Sequence, residues 1–175
     1  IRDYKVTGVQ TCALPIYWHF IGHLQSNKVK YIAPFVYLIH GVDSEKLLIE
    51  INKQGKKNNR KINCLLQVHI AQEETKFGLD ADELSEIMNK CSQYEFVNIQ
   101  GLMGMASFSD NNSQIEKEFS YLKSLYDTYA HKEGFQSTFK ILSMGMSSDY
   151  HIAIKHGSNM IRIGSILFGE RNKHH

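Results

Sequence analysis

Two short segments near the carboxyl end of the sequence carry small and hydroxyl-bearing residues of the kind that bind anions. Gly145–Asp149 (GMSSD) separates an apolar run from a helical pattern, and Gly164-Ser165 follows the next apolar run. Small residues let backbone N–H groups approach an anion, and a helix N-terminus adds a favourable dipole. Ser147 or Ser148 alone would read as a plain helix cap. Because two such loops follow in succession, we predict a phosphate site.

Arg162 stands between two isoleucines in a run that is otherwise apolar. A buried guanidinium needs a partner, because an unpaired buried charge is costly. The sequence leaves two interpretations open. Arg162 either forms a structural ion pair with a carboxylate such as Asp149, or it contacts a ligand at the neighbouring phosphate site.

Three other residues have side chains that could take part in chemistry. His19 and His69 lie in strand-like runs, where a histidine is most often a core residue with satisfied hydrogen bonds. Lys76 lies in the loop Gln72–Gly78, which follows a strand-like run, and on sequence alone it is best read as a solvated surface lysine. No His, Cys, Asp and Glu set has the spacing of metal ligands, so we expect no metal. The sequence also lacks a nucleophile elbow, a Walker loop and a Rossmann fingerprint.

Apolar runs alternate with helical patterns from Trp18 onward. The runs predicted to be strands are Trp18–Gly22, Val36–His40, Ile62–Ala71, Phe96–Met105, Thr138–Met144 and Met160–Ile163. The helices predicted between them are one ending before Pro34, one capped by Asp43 or Ser44, one beginning near Asp80, one spanning Ile115–Tyr129, and one capped by Ser147 or Ser148 that stops at Gly157. This order favours a parallel sheet with helices outside it. Periodicity alone does not decide between an open doubly wound sheet and part of a (β/α)8 barrel.

The composition is that of an ordinary globular domain. The chain has 175 residues, of which 42% are hydrophobic and 22% are charged, so one domain is expected. A net charge of +2 is too small to indicate nucleic-acid binding, and the densest basic cluster, Lys56 to Lys61, reads as a solvated loop. The three cysteines lack CxxC spacing, which favours a reducing cytoplasm. We recognise no membrane span and no signal peptide.

Residues 1–16 stand apart from the rest of the sequence. The stretch Val6–Ile16 (VTGVQTCALPI) resembles the conceptual translation of a sequencing-library adapter. We therefore interpret residues 1–16 as a non-native segment and expect the domain to span residues 17–175. The alternative is an irregular strand that is native to the protein.

Three ordered motifs resemble those of the YggS/PROSC family, the pyridoxal 5'-phosphate (PLP) homeostasis proteins. His19–Lys28 (HFIGHLQSNK) is similar to the family's HFIGxLQxNK signature. Gly145–Asp149 is similar to its GMSxD motif, and Ile161–Gly169 (IRIGSILFG) to its RIG(T/S)xxFG ending. Lys76 matches the lysine of the family's (S/T)K(x)G loop. The resemblance covers residues 18–172.

This resemblance implies an α/β fold, the (β/α)8 TIM-type barrel of PLP fold type III found in the N-terminal domain of alanine racemase, here lacking its first two βα units. It also implies that Ser147, Gly164 and Ser165 hold the PLP phosphate, and that Arg162 lies against the pyridine nitrogen. The other cofactor-site residues that the resemblance implies are Lys76, His19 and Asn27.

The lysine to which the family bonds PLP lies upstream of the HFIG motif. No residue of this sequence corresponds to it, and Lys5 lies in the segment that we interpret as non-native. The catalytic residue is therefore left unidentified, and we expect this chain to lack a covalent anchor for the cofactor.

The resemblance implies PLP binding and a role in intracellular PLP homeostasis, with PLP-dependent enzymes as partners. We expect no binding to nucleic acid or to membranes. An arginine cannot lend the pyridine nitrogen a proton, so the ring is a weaker electron sink. The chain also ends soon after its last strand, without a second domain to supply another base. Both points favour a cytoplasmic carrier or regulator, expected to be a monomer. The alternatives are a slow amino-acid racemase, which needs two bases on opposite faces of the substrate carbon, and a phosphosugar-type barrel enzyme.

Overall fold

The computed structural model describes residues 16–73, 77–132 and 137–169. Most of the segment 1–16 therefore lies outside the described residues. The strands are β1 His19–Phe20, β2 Leu38–Val42, β3 Ile62–Val68, β4 Val97–Gly104, β5 Ile141–Met146 and β6 Met160–Arg162. The helices are α1 Val29–Ile32, α2 Glu45–Lys57, α3 Ala81–Asn89, α4 Asn112–Ala130, α5 Tyr150–Lys155 and α6 Ser165–Phe168, with short 3-10 turns at Ser26–Lys28 and Cys91–Gln93.

The six strands form one parallel sheet in which each strand pairs with the next one in the chain. Parallel crossovers are right-handed, so a strand order that never reverses places every crossover helix on the same face of the sheet. A doubly wound sheet would need a reversal in the strand order. The structure therefore resolves the open alternative in favour of an incomplete α/β barrel, which confirms the predicted fold class.

The two faces of the sheet have different cores. On the outer face, strand residues such as Ile39 and Leu66 pack in one large cluster with helix residues such as Leu48 and Phe119. On the inner face, a small cluster contains only strand residues, Leu38, Leu65 and Met103, with Met105, Ile141 and Met160 packed against it. Side chains two positions further along each strand share this inner face. Polar residues at those positions consequently lie just beyond the inner cluster.

Most of the predicted helix signals are confirmed. The Ser44 hydroxyl accepts a hydrogen bond from Leu47 N at the start of α2, and Asp80 forms a capping box with Glu83 at the start of α3. Gly157, which has a φ of +89°, follows the end of α5. The predicted strands are also present, although their ends shift by a few residues. One shift has a clear cause, since Arg60 binds the carbonyl oxygens of Ala33 and Val36 and holds that segment as a turn before β2.

A β-bulge in β4 controls how β4 meets its neighbours. Cys64 pairs with Ile99 and Leu65 pairs with Gly101, so one residue of β4 is left over between them. Gly101 has a φ of +151°, and a Cβ at this position would lie 1.8 Å from the carbonyl oxygen of Ile141 on β5. Only glycine allows β4 and β5 to approach this closely.

We predict that Gly101→Ala lowers the free energy of unfolding by about 3 kcal/mol, because the new methyl group clashes with backbone and the left-handed φ is strained. Gly22→Ala is the matched control, since a Cβ there would meet no atom within 4 Å. Urea denaturation followed by circular dichroism measures both changes. Equal stability of the two variants would contradict the assigned bulge.

Candidate functional site

The loops after β5 and β6 meet at the carboxyl edge of the sheet. The backbone N–H of Gly164 donates a hydrogen bond to the Ser147 hydroxyl at 3.3 Å. Carboxyl ends of neighbouring parallel strands lie at one edge of a sheet, and this is where α/β proteins place their ligands. The structure thus brings together the two loops that the sequence predicted to form a phosphate site.

The loop that carries Ser147 is held by reciprocal contacts between its ends. Met146 N donates to the Asp149 carboxylate at 2.6 Å, and Asp149 N donates to Met146 O at 3.2 Å. Gly145 has a φ of +96°, and a Cβ there would lie 2.6 Å from the Ala153 side chain of α5. Glycine at this position therefore lets α5 pack tightly against β5, and the tight turn fixes where Ser147 stands.

The prediction that Ser147 or Ser148 caps α5 is wrong. The N-cap residue is Asp149, and no side-chain hydrogen bond caps the helix. The Asp149 carboxylate instead closes the turn onto Met146, as described above. The Ser147 hydroxyl is therefore not used as a helix cap, and the fact that it faces the loop after β6 favours the binding interpretation.

Gly164 and Ser165 lie in the second loop, which follows β6 and faces Ser147. Gly164 is exposed, and a Cβ added to it would meet no atom within 4 Å, so the space above it is open. Ser165 is the first residue of the short helix α6 and is also exposed. Its hydroxyl forms no hydrogen bond within the described part of the chain, so it is available to a ligand.

Arg162 lies directly before this loop and extends across the inner face of the sheet. Its Nη1 donates to Ser143 O at 3.1 Å and to Ser143 Oγ at 2.8 Å, and its Nη2 donates to Gly104 O at 3.1 Å. These contacts join the ends of β4 and β6 to the middle of β5. Their oxygen partners are all uncharged, so the guanidinium is solvated by the protein without being neutralised through direct contact.

The electrostatic surroundings of Arg162 bear on the two interpretations that the sequence left open. Burial lowers the pKa of Arg162 to about 10, and the charge of Asp149 opposes this shift. Asp149 therefore acts on Arg162 through space, while its carboxylate bonds to Met146 N. The Arg162–Asp149 ion pair, one of the two interpretations, is not formed. A protonated guanidinium beside an open loop remains able to attract an anion.

A pair of histidines lies on the same inner face. His19 Nδ1 and His40 Nε2 are 3.0 Å apart, and the His19 ring stacks on Tyr37 with a centroid distance of 5.6 Å. His40 is 2% exposed, while His19 is exposed. The expectation of a core histidine is therefore wrong for His19. Its neighbour His40 takes the buried position.

The sequence analysis missed His40 and Ser143. Each lies two residues after a member of the inner apolar cluster or its packing shell, Leu38 and Ile141 respectively. A polar residue in phase with buried apolar residues on a strand is the signal that would have identified them.

The remaining predicted site residues lie elsewhere or were not located. Asn27 is exposed in the 3-10 turn after β1, the strand at the far end of the strand order from β6, and its side chain makes no hydrogen bond among the described residues. His69 is half-buried, and its Nε2 lies 3.0 Å from Glu73 O. Lys76 lies outside the described residues. The structure thus joins Ser147, Gly164 and Arg162, places Ser165 next to them, and leaves Asn27 apart.

Within residues 16–73, 77–132 and 137–169, no group of three or more His, Cys, Asp or Glu side chains is arranged to hold a metal ion. In the same ranges, no helix has the length and apolar character needed to cross a membrane.

The pKa of His40 gives a prediction about stability and pH. Burial, the neighbouring His19 and the charge of Arg162 lower the pKa of His40 from 6.5 to about 4. Between pH 6.5 and about pH 4, His40 binds a proton in the unfolded chain but not in the folded protein. Stability is therefore fully present above pH 6.5 and is lost as the pH falls toward 4. We predict a loss of about 2.5 kcal/mol from this residue between neutral pH and about pH 4.5.

Urea denaturation at both pH values measures this effect, and His40→Gln should lose most of that pH-dependent decrease. His151→Gln, which replaces an exposed histidine on α5, is the control and should retain the decrease. An unchanged pH dependence in His40→Gln would show that His40 is not buried in its neutral form.

Comparison with known proteins shows what this chain is similar to. The family described as "Alanine racemase, N-terminal domain" matches residues 15–172. A pyridoxal phosphate homeostasis protein of Aquifex aeolicus is 39% identical over 158 residues, which cover 90% of this chain and 68% of that protein. Its counterpart in Helicobacter pylori is 38% identical over 172 residues, covering 97% of this chain and 74% of that protein.

Solved structures agree with these matches. PipY of Synechococcus elongatus, determined with PLP bound, superposes with a TM-score of 0.78 at 29% identity, covering 90% of this chain and 72% of PipY. An alanine racemase of Clostridium difficile superposes with a TM-score of 0.69 at 15% identity, covering 93% of this chain and 42% of the racemase. The second likeness concerns the fold alone.

Proposed function

This chain belongs to the alanine racemase N-terminal domain family and, within it, to the pyridoxal phosphate homeostasis proteins, and we propose that it binds PLP at the carboxyl ends of β5 and β6. The observation that carries this proposal is the contact between the Gly164 N–H and the Ser147 hydroxyl. It joins two strand-end loops at one site, with the half-buried cation of Arg162 directly before the second loop. PipY, a similar protein, holds PLP in its solved structure.

The residues of the two loops can bind the phosphate group of PLP, which is a phosphate ester of an aromatic aldehyde. The hydroxyls of Ser147 and Ser165 and the N–H of Gly164 are the donors for the phosphate oxygens. Space for that group exists because nothing lies within 4 Å of a Cβ placed on Gly164. Hydrogen bonds to a charged acceptor are stronger than those to a neutral one, and the charge on Arg162 favours an anion at this site.

Arg162 is the residue that we expect beside the pyridine nitrogen. PLP, when bound, supplies a ring that withdraws electrons from an attached amine. With a pKa of about 10, the Arg162 guanidinium keeps its own protons at neutral pH and does not protonate that nitrogen. The ring is then a weak electron sink, which favours holding PLP over rapid catalysis on it.

The homeostasis role follows from this chemistry and from the family. A protein that grips the phosphate through hydroxyl and amide donors, and leaves the ring weakly activated, is suited to store PLP and release it. We propose PLP-dependent enzymes as the recipients, and a single chain as the unit that binds PLP.

We predict that replacing both Ser147 and Ser165 with alanine weakens PLP binding by several-fold to a hundredfold, because the loss of their charge-assisted hydrogen bonds costs about 1–3 kcal/mol in total. Equilibrium dialysis against PLP measures the dissociation constant. Binding of pyridoxal, which lacks the phosphate, should change little.

Ser148→Ala is the matched control for this experiment. Ser148 is exposed in the same loop, next to Ser147, and its replacement should leave PLP binding unchanged. If the double variant bound PLP as tightly as the unaltered chain, the assignment of the phosphate to these two loops would be wrong.

A further inference from the structure

The His19–His40 contact has only two arrangements of protons when both rings are neutral. In a neutral imidazole one nitrogen donates a hydrogen bond and the other accepts. In the first arrangement, His40 Nε2–H donates to His19 Nδ1, and the proton of His19 is then on its Nε2. In the second, His19 Nδ1–H donates to His40 Nε2, and the proton of His40 is then on its Nδ1.

The surroundings of His40 distinguish the two arrangements. His40 Nδ1 is buried and has no hydrogen-bond partner among residues 16–73, 77–132 and 137–169. In the second arrangement this atom would be an N–H donor without an acceptor, and orphaned buried N–H groups are rare because they are costly. In the first arrangement it is a bare ring nitrogen, which keeps the N–H groups of both rings satisfied or exposed to water.

The chemistry of the imidazole ring supports the same choice. The Nε2–H tautomer is the one that a neutral histidine side chain intrinsically prefers. The first arrangement gives both rings this tautomer, whereas the second gives it to neither. Burial also lowers the pKa values of both histidines, which favours the neutral form of each ring.

We propose that His40 is a positioning residue that fixes His19 as the Nε2–H tautomer, so that His19 presents a neutral N–H donor at the inner face of the sheet. The His19 ring is also held by stacking on Tyr37. Its Nε2 has no hydrogen-bond partner within the described part of the chain, and the His19 residue is exposed. This N–H is therefore available to an acceptor oxygen of an anionic ligand.

The position of the pair relates this donor to the PLP site. His19 pairs in register with Leu38, which belongs to the inner cluster. His40 lies near enough to Arg162 for the guanidinium charge to lower its pKa. The role in ligand binding rests on the proposed PLP-binding function, whereas the tautomer itself does not.

Nitrogen-15 NMR of the histidine rings tests the tautomer directly in the whole chain without PLP. At neutral pH, long-range proton–nitrogen correlations should show a protonated Nε2 and a bare Nδ1 in both His19 and His40. Detection of a protonated Nδ1 in His19 would overturn the proposal, whatever the outcome of the PLP experiments.

Two variants of His40 test its effect on His19. In His40→Phe the donor is lost, so the His19 ring should become a mixture of tautomers. In His40→Gln the side-chain amide can donate from nearly the same place, and His19 should keep its protonated Nε2. A His19 ring that stays in one tautomer in His40→Phe would show that His40 does not fix it.

The binding role has its own test. His40→Phe should weaken PLP binding about three- to tenfold, in keeping with the loss of one hydrogen bond, and His40→Gln should restore most of it. In a His19→Phe background the change at position 40 should have no further effect. If His40→Phe and His19→Phe weakened PLP binding independently and additively, His40 would not act through His19. If the Ser147 and Ser165 double variant loses PLP binding while His19 keeps its protonated Nε2, the tautomer proposal and the PLP-site proposal are shown to be separate.

Discussion

The guanidinium of Arg162 hydrogen-bonds to two neighbouring strands, and the geometry of the site depends on those bonds. Three hydrogen bonds link β6 to Ser143 on β5 and to Gly104 at the end of β4. The ends of these strands carry the loops in which Ser147 and Gly164 meet. A buried cation is costly unless the protein solvates it. The same bonds that solvate Arg162 therefore also hold the two loops at one edge of the sheet.

The strand order makes this arrangement available. Because each strand pairs with the next one in the chain, all crossover helices lie outside and the inner face is free for polar residues. On that face, His40, Ser143 and Arg162 follow directly after an apolar cluster along their strands. Low-polarity surroundings strengthen each electrostatic interaction there. Burial is the main cause of the lowered pKa of His40, and the charges of His19 and Arg162 lower it further.

Much of this structure is predictable from the sequence. The six strands and the longer helices follow from apolar periodicity and caps such as Ser44 and Asp80. The two loops proposed to bind phosphate follow from small residues after a strand. The partners of Arg162 do not, because backbone carbonyl oxygens leave no signal in residue types and the strand order is not contained in the periodicity. The cap of α5 was misassigned because Asp149 and the two serines compete for one turn. His40 was not predicted as a site residue because it ends an apolar run and has no polar neighbour in sequence that would indicate a site.

We propose that the loops after β5 and β6 together hold the phosphate of PLP, and a crystal structure of this chain grown with PLP tests this most directly. We expect the phosphate to lie within hydrogen-bond distance of the Ser147 hydroxyl and the Gly164 N–H, with Ser165 as a further donor. A phosphate bound elsewhere on the protein, with these three groups facing only water, would contradict this assignment.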